Sequence, residues 1–452
     1  MSYQDFLARK KIIDLPSGFQ PEGLNKSLFD FQRDITAWSC RRGRSAIFAD
    51  CGCGKSPMQL AWAQQVLEKS NKPVLILAPN EVKKQTAREG NKFGIKVNVV
   101  AENNQIQKTI NVTNYERLHK FDVSQFGGIV LDESSILKSY DGATRDLIIT
   151  SFNQTPYKLA CTATPAPNDF MELGNHAEFL GVMSRVEMLA TFFVHDGGET
   201  SKWRLKGHAK HDFWKWISSW AVNIRKPSDL GYEDKGFNLP KLNMFEHVVE
   251  SSQKMDGYLF ALPASSLQER RSARKESKIE RVEKACELAD DKQWVFWCNL
   301  NSESELIAKE LKAVELRGST SEEEREEIAE GFIKGEIKRV VTKPSLWGYG
   351  LNLQCCQNTA LVGLSDSYEE FYQLIRRFWR FGQNQEVNAH IIISSLEGAV
   401  LSNIKRKEKD ARVLADEMIK NMTDISSVEI KGLHKETITY SPTQTMSLPK
   451  FI

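Results

Sequence analysis

The amino-acid sequence predicts an α/β protein built from two parallel-sheet halves with a mostly helical insert between them. Residues 45–180 alternate short apolar stretches, such as SAIFAD, PVLILAP and GGIVLDE, with stretches of helical character. Strands that alternate with helices favour a parallel sheet covered on both faces. The alternation stops over 182–290 and returns with QWVFWCNL, KRVVTKP, TALVGLSD and HIIISS. We therefore expect a first lobe over 1–182, an insert or linker over 183–275, a second lobe over 276–420 and a polar tail over 421–452.

Length and composition agree with a protein of several domains. The chain has 452 residues, of which 41% are hydrophobic, and one domain usually needs roughly 150 residues. The net charge of +2 neither requires nor excludes a polyanionic partner, since a basic surface can be local. No apolar run is long enough for a membrane span or a signal peptide, so we expect a cytoplasmic protein of a bacterium or a phage-infected cell, with no membrane partner.

The eight cysteines do not indicate a disulfide framework or a zinc site. None of them forms a CxxC pair, and disulfides are rare in cytoplasmic proteins. Cys40, Cys161 and Cys298 lie in or beside apolar stretches, which is typical of reduced, buried thiols.

The segment AIFADCGCGKS has the pattern of a phosphate-binding loop between a strand and a helix. Its glycines allow backbone N–H groups to turn inward around phosphates, and the helix N-terminus adds its positive end. The lysine of such a loop reaches the β and γ phosphates, and the following hydroxyl binds Mg²⁺. The candidate nucleotide-binding residues here are Gly52, Cys53, Gly54, Lys55 and Ser56.

A second apolar stretch, GGIVLDESS, ends in the acidic pair that such a site needs. We expect Asp132 to bind Mg²⁺, directly or through water, and Glu133 to polarise the attacking water. Each motif is ambiguous alone, but together they predict a nucleotide-hydrolysing site.

Further motifs complete this set. LFDFQRD precedes the phosphate loop, TATPAPNDFMEL follows the acidic pair, and ELRGSTSEEEREEIAEGF, YGLNLQ and QLIRRFWRFGQ lie in the second half. Over roughly residues 25–395 the chain resembles superfamily-two helicases, and within them the Swi/Snf-type DNA translocases, in the small stand-alone form common in phages and prophages. The matching residues are Gln32, Thr164, Pro165, Asn168, Glu172, Leu173, Gly318, Thr320, Arg325, Phe332, Gly350, Asn352, Leu353, Gln373, Arg377, Arg380, Gly382 and Gln383.

The resemblance implies two tandem RecA-like lobes with ATP bound between them. It implies that Gln32 reads the adenine edge, and that Gly350 and Gln373 also line the nucleotide site. Arg377 and Arg380 are three residues apart, which places them on one face of a helix. Their guanidinium groups can pair with the γ-phosphoryl oxygens and stabilise the charge of the transition state. We expect ATP and Mg²⁺ as cofactors and Lys55, Asp132, Glu133, Arg377 and Arg380 as catalytic residues.

One departure concerns the acidic motif. Ser134 and Ser135 stand where the family usually has the last two residues of DEAH or DEGH. In the family the final position helps to connect the ATP site to a neighbouring motif. A serine can still form a hydrogen bond, but its side chain is shorter. We therefore expect hydrolysis to survive, with an altered connection between the ATP site and the neighbouring motif.

Nucleic acid should bind along loops at one edge of the two sheets, mainly through phosphates. We expect DNA, duplex rather than single-stranded and in preference to RNA, with a nuclease or replication protein as a possible further partner. The candidate contacts are Lys83, Lys84, Asn114, Tyr115, Asn299, Thr342 and Lys343.

The insert SKWRLKGHAKHDFWKWISSW allows two interpretations. Basic residues interleaved with tryptophan can stack bases, but aromatic and aliphatic residues at helical spacing more often form a core stripe. We favour the core for Phe213, Trp216, Ile217 and Trp220 and leave Trp203 and Trp214 open. His208 and His211 form an HxxH pair without the matching cysteines of a zinc site.

Three functions are compatible with these motifs. The leading interpretation is an ATP-dependent DNA translocase or helicase. Another P-loop motor of the packaging type would explain the phosphate loop and the acidic pair, but not QLIRRFWRFGQ or TATP. A non-enzymatic nucleotide switch would not require Lys55, Glu133 and Arg380 together.

Overall fold

The computed structural model describes residues 17–138, 142–167, 169–196, 199–250, 277–347, 351–365, 367–395 and 398–430. None of the helices within these ranges is both long and apolar enough to cross a membrane.

The first lobe is a seven-stranded parallel sheet in the order β3-β4-β2-β5-β6-β1-β9. Its strands are β1 (Arg44–Ala49), β2 (Val74–Ala78), β3 (Val97–Val99), β4 (Ile110–Asn114), β5 (Gly128–Asp132), β6 (Tyr157–Thr162) and β9 (Ala221–Ile224). Its main helices are α1 (Asp30–Arg42), α2 (Lys55–Ser70), α3 (Lys83–Lys92), α4 (Ala143–Ser151) and α5 (Leu173–Leu180).

Strand composition explains why this sheet lies inside. Every residue of β2 (VLILA) and of β5 (GIVLD) is buried, as expected of strands that carry helices on both faces. Two apolar clusters result, one on each face. Leu75 and Ile129 belong to the first, whereas Ile76 and Val130, their neighbours in sequence, belong to the second.

The second lobe repeats this architecture with six parallel strands in the order β10-β15-β14-β11-β13-β12. The strands are β10 (Leu242–Val249), β11 (Trp294–Cys298), β12 (Val314–Glu315), β13 (Arg339–Thr342), β14 (Asn358–Val362) and β15 (Val387–Ser394). Its helices are α8 (Lys278–Leu288), α9 (Asn301–Leu311), α10 (Glu322–Ile333), α11 (Pro344–Trp347) and α12 (Tyr368–Phe378). The two sheets confirm the prediction of two parallel-sheet α/β halves.

The described residues between the lobes, up to residue 250, differ from the mostly helical insert expected over 183–275, and residues 251–275 lie outside the described residues. It begins with α6 (Arg185–Phe192) and an antiparallel hairpin of β7 (Phe193–Asp196) and β8 (Glu199–Leu205), followed by α7 (Lys210–Trp220). Strand β9 then pairs with β1 and extends the first sheet, and β10 pairs with β15 and extends the second. Both strands stand at sheet edges, and β10, in which no residue is fully buried, lacks the continuous apolar run by which the inner strands were recognised.

Helix α7 confirms the predicted core stripe. Phe213, Ile217 and Trp220 are fully buried in the first lobe, and Trp216 packs against them in a partly buried position. Of the two tryptophans left open, Trp214 is buried in the same cluster and Trp203 packs against it. Burial therefore excludes stacking of bases on Phe213, Ile217 and Trp220. The three thiols expected to be buried, at Cys40, Cys161 and Cys298, are buried.

A long helix, α13 (Gly398–Ile430), connects the two lobes physically. Its first turns carry Val400 and Ile404 into the core of the second lobe. Further along, Met418 and Met422 insert into the core of the first lobe beside α7. The helix continues to Ile430, so its last residues occupy part of the range, 421–452, that was expected to be a polar tail.

We expect Met422→Ala to lower the free energy of unfolding of the first lobe by about 2–4 kcal/mol, because it leaves a cavity in a closed core. Val413→Ala is the matched control, since Val413 lies on the same helix with 53% of its surface exposed. Urea unfolding followed by tryptophan fluorescence measures both variants. Equal midpoints for the two would show that α13 does not pack on the first lobe.

Candidate active site

The phosphate loop connects β1 to α2 and depends on two glycines with positive φ. Gly52 has φ 98° and Gly54 has φ 80°, which is the region that side chains with a Cβ avoid. The space around these two glycines also excludes any residue with a Cβ atom. A Cβ on Gly54 would lie 2.2 Å from Nε2 of Gln32, and one on Gly52 would lie 2.9 Å from the backbone nitrogen of Phe381. The loop is therefore in direct contact with the second lobe.

Lys55 opens helix α2 and points back into the loop. Its Nζ donates a hydrogen bond to the carbonyl oxygen of Ala49 at 3.2 Å and lies 3.8 Å from Oε1 of Glu133. Burial, the largest single effect, would lower the pKa of Lys55, but the negative groups around it, Glu133 first, together outweigh burial and hold that pKa above its usual value. Lys55 thus keeps its positive charge in a site where phosphates can reach it. Ser56 follows on the first turn of the same helix.

Asp132 ends strand β5 and is nearly inaccessible to solvent. Its Oδ1 accepts a hydrogen bond from Nε2 of Gln59 at 2.7 Å. Burial, and then the charge of Glu133, raise the pKa of Asp132 to about 6. The other amide atom of Gln59, Oε1, is buried without a hydrogen-bond partner among the described residues.

A magnesium ion fits the chemistry of this corner. Carboxylate and hydroxyl oxygens are the donors that Mg²⁺ prefers, and such ions are usually held by one or two carboxylates together with phosphates. Asp132 and Ser56 supply those donor types beside Lys55. A cation would also relieve the repulsion between Asp132 and Glu133 that raises the pKa of Asp132.

Glu133 adopts a backbone conformation that is unusual for a residue with a side chain. Its φ is 54°, and non-glycine residues in this region cost about 1–3 kcal/mol and cluster at functional sites. The turn directs its carboxylate toward Lys55, and the hydroxyl of Thr162 donates to Oε2 at 3.4 Å. Thr162 also accepts a hydrogen bond from the backbone nitrogen of Thr164 at 3.1 Å, which links the acidic pair to the TATP segment.

The two serines after the acidic pair point in different directions. Ser134 Oγ lies 3.1 Å from Nε2 of His176 in helix α5, and burial lowers the pKa of His176 to about 4, so the imidazole is neutral. Ser135 Oγ donates instead to Oε1 of Glu369 in the second lobe at 2.6 Å. Both serines therefore form hydrogen bonds, and one of these bonds crosses between the lobes.

Gln32 is attached to the loop rather than open to solvent. Its Nε2 donates to the carbonyl oxygen of Cys53 at 3.0 Å, and its Oε1 accepts from the backbone nitrogen of Phe29 at 3.1 Å. Next to it three phenylalanine rings meet, with centroids 5.2 Å apart for Phe29 and Phe237 and 4.8 Å apart for Phe237 and Phe381. No sequence pattern singles out these rings, which come from three distant segments.

Helix α12 carries Gln373, Arg376 and Arg377 of the segment QLIRRFWRFGQ. Nη2 of Arg377 donates to Oε1 of Gln373 at 2.9 Å, while Nε of Arg377 is buried without a partner among the described residues. Arg380 donates to Oδ1 of Asn352. The helix ends at Phe378, so Arg380 lies in the turn that follows and not, as expected, on the same helical face as Arg377. Gly350 lies outside the described residues.

Another polar contact between the lobes uses residues that sequence reasoning missed. Asp50, in the phosphate loop, accepts a hydrogen bond at 2.7 Å from Nη2 of Arg376 and another from the hydroxyl of Tyr372. The guanidinium carbon of Arg376 also lies 4.5 Å from the ring centroid of Trp379. Burial alone would lower the pKa of Arg376, but Tyr372 and Asp50 raise it. The only sequence signal was a third arginine beside the two expected ones.

The seven candidate nucleic-acid contacts separate into two groups. Tyr115, Asn114 and Thr342 are buried, and the hydroxyl of Tyr115 donates to the carbonyl oxygen of Asp132 at 2.7 Å. Tyr115 therefore supports the end of the strand that carries Asp132, and the role of all three residues as nucleic-acid contacts stays a prediction.

The remaining four lie at accessible positions. Asn299 and Lys343 line one open groove of the second lobe together with Lys278, Asn301 and Ser302. Lys83 and Lys84 open helix α3, and Nζ of Lys84 lies 3.4 Å from Oε1 of Glu326 in the second lobe.

Comparisons with known proteins match both lobes. The family described as "Type III restriction enzyme, res subunit" matches residues 19–167, and the family described as "Helicase conserved C-terminal domain" matches residues 277–382. No functionally curated protein matches the chain in sequence.

Among similar solved structures is the Sulfolobus solfataricus SWI2/SNF2 ATPase core in complex with dsDNA, with 18% sequence identity and a TM-score of 0.42. The match covers 92% of this chain and 98% of the other. Neither the identity nor the score is high enough to transfer an activity.

We expect Glu133→Gln to lower ATP turnover at least about 100-fold while leaving ATP binding nearly unchanged. The amide cannot accept a proton from water, whereas the phosphate loop and Lys55 remain intact. Steady-state hydrolysis and binding of a fluorescent ATP analogue measure the two effects. The control is Glu102→Gln, which changes an exposed carboxylate of the same lobe. Wild-type turnover by Glu133→Gln would show that Glu133 takes no part in hydrolysis.

Proposed function

Since the chain is a superfamily-two helicase, with the two lobe families matched in order along it, we propose that it hydrolyses ATP to move along DNA. We further propose that the preferred track is duplex DNA and that movement unwinds or remodels DNA or protein–DNA complexes. The motif resemblance to Swi/Snf-type translocases supports the choice of duplex DNA.

One observation carries this proposal. The phosphate loop and acidic pair of the first lobe meet the arginine-bearing helix of the second lobe at a single cleft. Asp50 and Arg376 join the lobes at 2.7 Å, and the backbone nitrogen of Phe381 abuts Gly52. A site whose parts lie on two lobes can convert nucleotide turnover into relative motion of those lobes.

The residues have distinct roles in hydrolysis. Lys55 neutralises charge on the β and γ phosphates, and Glu133 accepts the proton of the attacking water. Asp132 and Ser56 would hold Mg²⁺, which supplies charge neutralisation at the phosphate oxygens. Arg377 and Arg380 stabilise the negative charge that develops in the transition state, as guanidinium groups supplied across a cleft do.

Movement requires that each lobe hold the nucleic acid separately. We propose that the groove with Asn299 and Lys343 binds backbone phosphates on the second lobe, and that Lys83 and Lys84 do so on the first. Because phosphates carry no sequence information, binding would be sequence-independent and sensitive to salt. A nuclease or replication protein would be a suitable working partner for such a motor.

We expect duplex DNA to stimulate ATP hydrolysis more than single-stranded DNA or RNA, because the proposed track is the duplex backbone. Turnover is measured without nucleic acid and with each of the three, for the wild type and for Lys55→Ala. The variant loses the phosphate-binding charge and should show no stimulation. Equal stimulation by RNA would contradict the DNA assignment, and rates insensitive to Lys55→Ala would contradict ATP hydrolysis at this site.

A further inference from the structure

Ser135, the last residue of the acidic motif, forms a polar contact between the lobes together with Lys138 and Glu369, which lie outside the family motifs. Ser135 and Lys138 belong to one 3₁₀ turn, Ser134–Lys138, directly after the acidic pair. Ser135 Oγ donates to Oε1 of Glu369 at 2.6 Å, and Nζ of Lys138 contacts Oε2. Both oxygens of a single carboxylate of the second lobe are therefore bound by the first lobe.

The environment makes this contact stronger than an ordinary surface pair. Ser135 is 2% exposed and the side chain of Glu369 is 18% exposed, whereas the side chain of Lys138 is 40% exposed, so the shielded part of the contact is the hydrogen bond from Ser135. Exposed ion pairs contribute little because water screens them, whereas a hydrogen bond to a charged group away from water is stronger and more directional. Glu369 can therefore fix the orientation of the helix that carries it.

The helix connects this contact to the arginines. Glu369, Gln373 and Arg377 are spaced four residues apart on α12, so they lie along one face, and Gln373 already holds Arg377 by a hydrogen bond of 2.9 Å. Eight residues of α-helix span roughly 12 Å. At the other end of the contact, Ser135 is two residues from Glu133. The contact thus joins the turn that bears Glu133 to the helix that bears Arg377.

We propose that Ser135, Lys138 and Glu369 are positioning residues that set the place of Arg377 and Arg380 relative to Glu133 when the lobes are together. This inference rests on the proposed ATPase function and adds to it the element that couples the acidic motif to the arginines. The serine at the end of DESS is suited to this role, because its short side chain allows the carboxylate of Glu369 to come within hydrogen-bonding distance of the turn. None of the three residues touches the reacting atoms.

The main test compares two neighbouring glutamates of α12. Glu369→Gln removes the charge that Lys138 and Ser135 bind. The matched control is Glu370→Gln, because Glu370 accepts its hydrogen bond from Ser365 of its own lobe at 2.6 Å. We expect Glu369→Gln to lower kcat for DNA-stimulated ATP hydrolysis about tenfold with KM for ATP within about twofold, and Glu370→Gln to leave both within about twofold.

A charge exchange separates positioning from simple loss of stability. Glu369→Lys alone faces Lys138 with a like charge and should lower kcat further than Glu369→Gln. Combining it with Lys138→Glu restores an ion pair in the reverse sense, and we expect at least about half of the lost kcat to return. Failure of the double variant to recover any activity, with folding intact by circular dichroism, would overturn the proposal.

Hydrogen–deuterium exchange gives a readout that does not depend on turnover. Glu369→Gln should raise exchange in the peptide covering Ser134–Lys138 of the first lobe, whereas Glu370→Gln should not. If wild-type protein hydrolyses no ATP with any nucleic acid, the proposed function fails, and these exchange data still decide whether Glu369 holds the turn. Unchanged exchange together with an unchanged kcat would overturn the positioning role.

Discussion

The contact between Asp50 and Arg376 is the interaction on which the active site depends, because it brings the arginine-bearing helix against the phosphate loop. Both side chains are largely shielded, with 16% and 13% of their surfaces exposed. Removing two charges from water is costly, and such pairs contribute less to stability than to a specific arrangement. Here the arrangement places the backbone of Phe381 against Gly52.

Around that contact the fold combines rigid and movable parts. Each lobe has its own parallel sheet with buried strands, which holds loop residues at fixed positions. Helix α13 is anchored in both cores, through Val400 and Met422, and limits how far the lobes can separate. The polar contacts between the lobes, in contrast, can break and form again at a modest cost in free energy. A motor needs this division, because nucleotide-dependent motion must be transmitted by stiff elements on either side of a labile interface.

The sequence predicted the parts whose chemistry is local and missed those that arise only from folding. Lys55, Asp132 and Glu133 were predictable because short motifs at strand ends determine them. Asp50 and Arg376 were not, since their partners are more than 300 residues apart and no local pattern links them. Tyr115 was expected on the surface, but its apolar ring is buried and only its hydroxyl reaches Asp132. The edge strands β9 and β10 were missed because they lack the long apolar runs of the inner strands.

We propose that hydrolysis requires both lobes, with the second supplying an arginine to the phosphates held by the first. ATP binding and turnover of Arg380→Ala, measured with duplex DNA present, test it most directly. We predict that the variant binds ATP with nearly wild-type affinity and that its turnover falls about a thousandfold, as expected for loss of an arginine supplied across a cleft. Turnover equal to that of the wild type would show that the first lobe hydrolyses ATP alone, and would contradict the two-lobed site.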